Sequence, residues 1–199
     1  GPPHMRGVGF TSGTTGDPTP LPRPEDNAVL VTLKRELWHM GMRPGDHLTY
    51  LLFTFREGMI GDRWMDTGFT PICVQHSPLD IPYLVQVSRE YRPKALFMIS
   101  TPMILGLEQY EKKTGEDIKE AFSSYEGIVF GGEPMSPHIR KLMDRWEFPV
   151  FELTSLGDVA TATECSAHDG MHTWEDVALI EHLDPDNDSD AEDGGRGEM

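Results

Sequence analysis

The feature that most constrains the fold is the alternation of short apolar runs with longer amphipathic segments over residues 24–153. The apolar runs have the length and composition of strands, and the segments between them repeat apolar residues near the helical period. Strands that alternate with helices form parallel sheets, because each right-handed crossover returns the chain to the same end of the sheet. The pattern therefore predicts an α/β fold with a mostly parallel sheet and flanking helices.

Pro and Gly residues between these segments set the predicted boundaries. After residue 158 the segments become short and are separated by turns, which predicts antiparallel hairpins over 159–165, 171–175 and 178–183. The fold class is therefore α/β with a short antiparallel β segment near the C-terminus. The predicted helices are 24–40, 58–67, 81–91, 102–113 and 137–146 with a short one after 115, and the predicted strands are 47–55, 70–74, 95–99, 125–130 and 150–153.

Length and charge restrict the classes of partner. The 199 residues are enough for a sizeable core, and the net charge of −16 argues against nucleic acid, which is bound through Lys and Arg. No apolar run approaches the roughly 18 residues of a spanning helix, and no export leader is visible, so we expect no membrane association. The two cysteines, Cys73 and Cys165, are expected to be free thiols in a cytoplasmic protein.

Three regions follow from the composition along the chain. Residues 1–5, with the sequence GPPHM, are typical of a cloning remnant. Residues 6–183 carry the periodic segments and are assigned to one domain. Residues 184–199 are dominated by Asp, Glu and Gly, which predicts an acidic mobile tail.

A run of glycine and hydroxyl residues lies close to the start of the chain. Glycine permits positive φ angles, so successive N–H groups can converge into a nest for an anion, and the hydroxyls add donors for phosphate oxygens. No Gly-Lys-Ser/Thr closes the run, so it is not a Walker loop. The alternative is a flexible surface loop. The candidate phosphate-binding residues are Thr11, Ser12, Gly13, Thr14, Thr15 and Gly16.

A second glycine turn, Gly131-Gly132-Glu133-Pro134, follows a predicted buried strand and precedes a predicted helix. Ligands of open α/β sheets bind at the carboxyl ends of strands, and the absence of Cβ atoms lets a planar base approach the backbone. The alternative is an ordinary strand–turn–helix corner. Gly131, Gly132, Glu133 and Pro134 are therefore candidate cofactor-binding residues.

Three motifs in this order resemble those of the adenylate-forming (AMP-binding) superfamily. Residues 12–18 resemble its Ser-Gly-Thr-Thr-Gly-x-Pro phosphate loop, and residues 131–134 resemble the Gly-(Ala/Gly)-Glu-Pro of its phenylacetate–coenzyme A ligase branch. Residues 164–176 resemble that branch's Glu-Cys…Asp-Gly-x-His-x-Trp-Glu-Asp signature. The resemblance extends over residues 8–198.

The resemblance implies an AMP-forming acid–CoA ligase, that is, an acyl-CoA synthetase. Such an enzyme uses ATP and Mg²⁺ to convert a small carboxylic acid, with an aromatic acid favoured here, to an acyl adenylate and then a coenzyme A thioester. The family's loop would hold the β- and γ-phosphates and the second turn would contact adenine. Asp17 stands where relatives usually carry Lys, and its charge repels phosphate.

By the same resemblance the chain is a central fragment of the large N-terminal domain, without the C-terminal lid and its lysine. The fragment alone is then expected to be inactive. Apolar surface exposed at such cuts can drive association, so a homo-oligomer is one expectation.

The family's aromatic-Gly-x-Thr-Glu motif, which contacts the α-phosphate and Mg²⁺, matches this sequence in two alternative registers. Without gaps it falls on residues 151–155, which keeps Thr154 but loses the glycine and the carboxylate. Shifted by three residues it ends on Asp158, which restores a carboxylate. Because Mg²⁺ prefers oxygen ligands, we expect Asp158 to bind Mg²⁺ and Thr154 or Ser155 to bind phosphate. Thr154 and Asp158 are the candidate catalytic residues.

Cys165 and His172 flank a predicted hairpin and can approach each other. With a third ligand from Cys73, His76 or His168 they are candidates for a structural Zn²⁺ site. The alternative is a buried thiol and a histidine bonded to the backbone.

Two other functions remain open. One is an adenylation enzyme that loads a carrier protein instead of coenzyme A. The other is a non-catalytic relative that only binds a nucleotide or a partner, which Asp17 and the altered motif near Thr154 favour.

Overall fold

The fold is described by a computed structural model for residues 5–10, 17, 19–24, 28–52, 67–156, 160–177, 179–181, 183–184, 186 and 189–191. A two-stranded antiparallel ribbon joins β1 (Met5–Phe10) to β2 (Pro20–Pro24). The larger sheet has seven strands, in the order β4-β3-β5-β6-β7-β8-β9. Its members are β3 (His47–Leu52), β4 (Thr70–Gln75), β5 (Ala95–Ile99), β6 (Gly127–Gly131), β7 (Val150–Leu156), β8 (Ala160–Glu164) and β9 (Met171–His172).

Strands β3 to β7 are parallel to one another, and β8 and β9 add antiparallel to β7. This arrangement confirms the predicted fold class. The helices connect the parallel strands or precede them. They are α1 (Ala28–His39), α2 (Ile81–Tyr91), which follows a 3₁₀ turn at Pro78–Asp80, α3 (Thr101–Thr114), α4 (Ile118–Ala121) and α5 (Pro137–Arg145).

Local sequence explains where several helices begin and end. The side chains of Asp117 and Ser136 accept hydrogen bonds from the backbone of the first turns of α4 and α5. Gly115 ends α3 with a φ of 74°, a conformation that residues with a Cβ rarely adopt. The predicted break at Gly115 is confirmed.

Two apolar clusters cover the two faces of the sheet. Alternate residues of β6 point to opposite faces, so Ile128 packs with α2 to α5 and Val129 packs with Leu37 of α1. The end of α1 lies very close to β6. A Cβ on Gly127 of β6 would stand only 2.7 Å from the sulfur of Met40, the residue that follows α1. Four helices therefore cover one face, and α1 covers the other within the described part of the chain.

The C-terminal segment is attached to α1 by charge and aromatic contacts. Arg35 donates to both carboxylate oxygens of Asp176, at 2.7 and 2.6 Å, and its guanidinium carbon lies 5.2 Å from the centroid of the Trp174 ring. The His39 ring meets the same indole edge-on, with centroids 6.1 Å apart. Trp174 and Asp176 of the signature near the C-terminus therefore attach this segment to α1.

Some predicted boundaries differ from the structure. The helix predicted over 24–40 is described from Ala28. Its predicted first residue, Pro24, instead belongs to β2 and pairs with β1, and residues 25–27 lie outside the described part. Strand β7 extends past residue 153 because β8 pairs with its far end. Met5 pairs with Pro24, and the assignment of residues 1–5 to a cloning remnant stays a prediction. At the end of the predicted 178–183 segment, Leu183 forms an isolated antiparallel bridge with Asp190, which lies beyond that segment. The predicted helix over 58–67 falls largely outside the described residues.

Candidate functional site

Three polar side chains meet where parallel strands end. His76 directly follows β4, Ser100 directly follows β5, and Glu133 lies two residues beyond β6. Because parallel strands all end at one edge of the sheet, residues distant in the sequence gather there. His76, Ser100 and Glu133 are called the strand-end cluster below.

The first link in this cluster joins His76 to Ser100. The His76 Nε2 atom lies 2.8 Å from the Ser100 Oγ atom, and Ser100 is 8% exposed. Burial lowers the pKa of His76, while a hydrogen bond with its own backbone and the nearby Glu133 carboxylate act in the opposite direction. The imidazole is therefore neutral near pH 7 and able to share one proton with the serine hydroxyl.

The second link joins Glu133 to the start of α3. The Glu133 Oε1 atom accepts a hydrogen bond of 2.8 Å from the backbone N–H of Thr101. Ser100, at the N-cap position, makes no capping hydrogen bond with its side chain, so the glutamate supplies a cap from a different loop. A carboxylate is favoured there because the first N–H groups of a helix lack partners within it. Glu133 thus ties the glycine turn to α3.

The two positions of the turn require glycine for different structural reasons. A Cβ on Gly131 would lie 2.8 Å from both the Leu153 carbonyl oxygen and the Met98 sulfur, so packing between strands excludes a side chain. Gly132 has a φ of 88°, and a Cβ there would meet no atom of the described residues within 4 Å. The backbone at Gly132 therefore borders open space, to which a planar ring has access. Pro134 is exposed and precedes α5.

Thr154 and Ser155 lie beside this turn. The register between β6 and β7 places Gly131 opposite Leu153, so both hydroxyl residues extend just beyond the level of the turn. Both are exposed. Asp158, the expected magnesium ligand, lies outside the described residues, so its role stays a prediction.

The candidate phosphate loop also stays a prediction. The residues that flank it pair as β1 and β2, with Phe10 opposite Pro20, and Asp17 is exposed. The loop residues Thr11, Ser12, Gly13, Thr14, Thr15 and Gly16 lie outside the described part of the chain.

The expected zinc site is not supported. Within the described ranges no group of three or more His, Cys, Asp and Glu side chains is arranged to hold a metal ion. Cys73 and His76 belong to β4 and its end, whereas Cys165 and His172 belong to the β8–β9 hairpin. Five strand spacings separate β4 from β8, or roughly 24 Å at the usual distance between strands. The remaining candidate, His168, instead contacts the Phe151 ring, with centroids 5.2 Å apart.

Sequence reasoning missed the role of two residues in the strand-end cluster. Ser100 was not singled out, and His76 was considered only as a zinc ligand. Ser100 immediately follows the predicted strand 95–99, and His76 lies two residues beyond the predicted strand 70–74. This position at a strand end was the available signal. The sequence does not reveal the strand order, in which only β3 lies between β4 and β5. This order places the ends of β4 and β5 close enough for His76 to reach Ser100.

Comparisons with known proteins place these features in context. The chain is 28% identical to the phenylacetate-coenzyme A ligase of Thermus thermophilus over 190 residues, which cover 90% of the chain and 41% of that protein. No family model matches the chain. The sequence therefore resembles this ligase over somewhat less than half of the ligase's length.

Solved structures of CoA ligases share the fold. A 2-hydroxyisobutyryl-CoA ligase in complex with 2-HIB-AMP and CoA superimposes with a TM-score of 0.70 at 23% identity, over 92% of this chain and 44% of the other. The o-succinylbenzoate coenzyme A synthetase of Bacillus subtilis, in complex with ATP and magnesium ion, has a TM-score of 0.57 at 18% identity, over 77% and 31%. The described fold is thus the one that these adenylate-forming enzymes contain. None of the helices in the described ranges has the length and apolar character needed to cross a bilayer.

Proposed function

We propose that this chain forms the nucleotide-binding part of an AMP-forming acid–CoA ligase. The proposed reaction is the ATP-dependent activation of a carboxylic acid, with an aromatic acid favoured, to an acyl adenylate and then to a coenzyme A thioester. The observation that carries the proposal is the open backbone at Gly132, at the carboxyl edge of a parallel sheet and beside Thr154 and Ser155. The similarity to the Thermus ligase supports the same reaction class.

Each part of ATP has a proposed contact. The turn from Gly131 to Pro134 holds the adenine, for which Gly132 leaves room. Thr154 and Ser155 have exposed hydroxyls next to the turn and orient the α-phosphate. The six loop residues Thr11 to Gly16 hold the β- and γ-phosphates through N–H groups and hydroxyls.

In the first half-reaction a carboxylate oxygen of the acid attacks the α-phosphorus, and the bond to pyrophosphate breaks. In the second, the sulfur of coenzyme A attacks the acyl carbon and AMP leaves. Correct placement of the phosphate and donors directed at its growing charge supply most of the rate in such transfers. Mg²⁺, when bound, would neutralise phosphate charge, and Asp158 with the neighbouring hydroxyl oxygens has the ligand chemistry that this ion prefers.

A substitution at Gly132 tests the proposal, with a matched control elsewhere. Gly132→Ala adds a methyl group where ATP is proposed to bind, at a positive φ. Gly115→Ala adds the same group at a φ of 74°, at the far end of α3, where no atom in the described part of the chain would lie within 4 Å of it. Both changes strain the backbone by a similar amount, about 1 kcal/mol.

The measurement is calorimetric ATP binding to the chain, together with ATP–pyrophosphate exchange by the full-length natural polypeptide on aryl and alkyl acids. We expect Gly132→Ala to weaken binding at least tenfold and Gly115→Ala to leave it unchanged. Equal effects of the two variants would refute the assignment of the turn. Exchange without a coenzyme A thioester would favour carrier loading, and ATP binding without exchange on any acid would favour a non-catalytic relative.

A further inference from the structure

We propose that His76 is a positioning residue for the nucleotide-binding turn, acting through Ser100 and Glu133. The inference rests on the proposed function, because it assumes that this turn binds ATP. It adds a residue from outside the three motifs, on a strand that does not neighbour the turn. The argument depends on how firmly each member of the strand-end cluster is held.

His76 is fixed to the sheet by its main chain. Its N–H donates to the Leu52 carbonyl oxygen at 2.9 Å, so the residue continues the pairing of β4 with β3. The next residue, Ser77, caps the 3₁₀ turn by accepting from the Leu79 N–H. The imidazole therefore projects from the paired end of β4. It reaches past β3 to Ser100, the residue that follows β5.

Ser100 transmits this contact to α3. Its carbonyl oxygen accepts from the N–H groups of Met103 and Ile104, at 3.0 and 3.1 Å, so it belongs to the first turn of the helix. The adjacent N–H, on Thr101, is the one that Glu133 accepts. A shift of Ser100 therefore moves the donor that holds the glycine turn in place.

A serine within hydrogen-bond distance of a histidine is also the arrangement of an acyl-transfer nucleophile and its base. That chemistry needs free N–H donors for an oxyanion close to the serine. Around Ser100 the Thr101 N–H is bonded to Glu133, Pro102 has none, and the Met103 N–H is bonded within the turn. The geometry of the described residues at the start of α3 therefore favours positioning over nucleophilic catalysis.

The cluster links three loops through two hydrogen bonds. His76 comes from the loop after β4, Ser100 from the start of α3, and Glu133 from the turn after β6. Loss of one such bond typically weakens a dependent interaction about tenfold. The hydrogen bond to Ser100 links His76 to the start of α3, and the Glu133 carboxylate also lies near the imidazole and acts on its charge.

The experiment compares four single variants of the full chain and the double variant His76→Leu/Ser100→Ala. His76→Leu removes the bond to Ser100, His76→Gln restores a polar group that can make it, and Ser100→Ala removes the other partner. His47→Leu is the control, because His47 is a histidine at the opposite end of β3, bonded to the Tyr91 carbonyl oxygen. Each variant is checked for native circular dichroism, and ATP affinity is measured by calorimetry.

We expect His76→Leu and Ser100→Ala each to weaken ATP binding about tenfold, and the double variant to be no worse than either alone. His76→Gln should stay within about threefold of the parent chain. His47→Leu should bind as the parent does. Unchanged affinity in folded His76→Leu, or losses that add in the double variant, would overturn the inference.

A second readout does not depend on ATP. Hydrogen exchange of the Thr101 amide reports the bond to Glu133, and it should speed up in His76→Leu and remain unchanged in His47→Leu. If the parent chain binds no ATP, the proposed function fails even if Thr101 responds. If the parent binds ATP and neither affinity nor Thr101 exchange responds to His76→Leu, only the role of His76 fails.

Discussion

The two faces of the parallel sheet differ in whether their buried polar groups have hydrogen-bond partners. On the face covered by α2 to α5, the Tyr125 hydroxyl is buried but lies 2.8 Å from Thr49 Oγ1 and 2.9 Å from Ser88 Oγ. On the face covered by α1, the Glu36 side chain is buried and neither carboxylate oxygen has a hydrogen-bond partner among the described residues. A buried polar group costs little when it is paired and several kcal/mol when it is not.

Burial accordingly raises the pKa of Glu36 to about 8, from an ordinary value of 4.5. Burial is also the main reason that the pKa of Tyr125 rises to about 12, and its hydroxyl partners lower it only in part. The comparison suggests that the four-helix face supplies stability at every pH near neutrality, whereas the α1 face supplies it in a pH-dependent way. Four substitutions test this difference.

The largest effect is expected in the core of the four-helix face. Leu107 on α3 is fully buried, so Leu107→Ala should lower the free energy of unfolding by about 3 kcal/mol through lost contacts and the cavity that remains. Denaturant titration measures the change. Leu79 is 89% exposed, and Leu79→Ala should change the stability by less than about 0.5 kcal/mol. Similar losses in both variants would mean that this face is not the principal core.

The next largest effect is a pH dependence of the free energy of unfolding, which is expected from Glu36 on the α1 face alone. Above pH 4.5 the unfolded chain releases the Glu36 proton, whereas the folded chain keeps it until about pH 8, so stability falls as pH rises through this window. The fall should be about 2.5 kcal/mol between pH 5 and pH 7. Glu36→Gln should remove this slope and be the more stable protein at pH 7.

The same unfolding titrations at pH 5, 6, 7 and 8 check this expectation. Glu90→Gln, on the exposed side of α2, is the matched control and should keep the slope of the parent. Two results would contradict the claim that the buried Glu36 carboxyl makes the stability depend on pH. One is a parent chain whose stability is flat from pH 5 to 8, and the other is a Glu36→Gln variant with the parent's slope.

A smaller effect is expected at Tyr125. Tyr125→Phe removes the hydroxyl that joins Thr49 to Ser88, and should lower the free energy of unfolding by about 1–2 kcal/mol with no change of slope between pH 5 and 8. Tyr83 is exposed, so Tyr83→Phe serves as the control and should have no measurable effect. A neutral result at Tyr125 would show that the pairing on this face is not what distinguishes it from the α1 face.

The smallest effect is expected where the C-terminal segment meets α1. Asp176→Asn breaks the two-bond contact with Arg35, an exposed pair that water and salt screen. The thermal midpoint should fall slightly at low salt and match the parent at high salt. Glu175→Gln, one residue earlier and also exposed, should leave the midpoint unchanged at both salt concentrations. A large fall that persists at high salt would mean that the segment is held by more than this pair.

The sequence was informative about local structure and less so about contacts between distant segments. The helix over Ile81–Tyr91 and the strand over Ala95–Ile99 were predicted with their observed bounds, because periodicity and Pro or Gly boundaries are local signals. The predicted first residue of α1, Pro24, was wrong because Pro20–Pro24 pairs with a strand earlier in the chain.

The candidate site shows the same limit. Its glycine turn could be predicted, because a strand, two glycines and a helix follow one another in the sequence. The contact between His76 and Ser100 could not, since it depends on β3 lying between β4 and β5 in the sheet. The zinc expectation failed for a related reason, because the sheet order places Cys73 and Cys165 near opposite edges.

An ATP titration of the isotope-labelled chain, followed through its backbone amide signals, tests the central claim most directly. Binding at the glycine turn predicts saturable shifts at Gly131, Gly132, Thr154 and Ser155, with the same affinity at all four. Saturable shifts confined to other parts of the sheet, or no saturable shift at millimolar ATP, would contradict it.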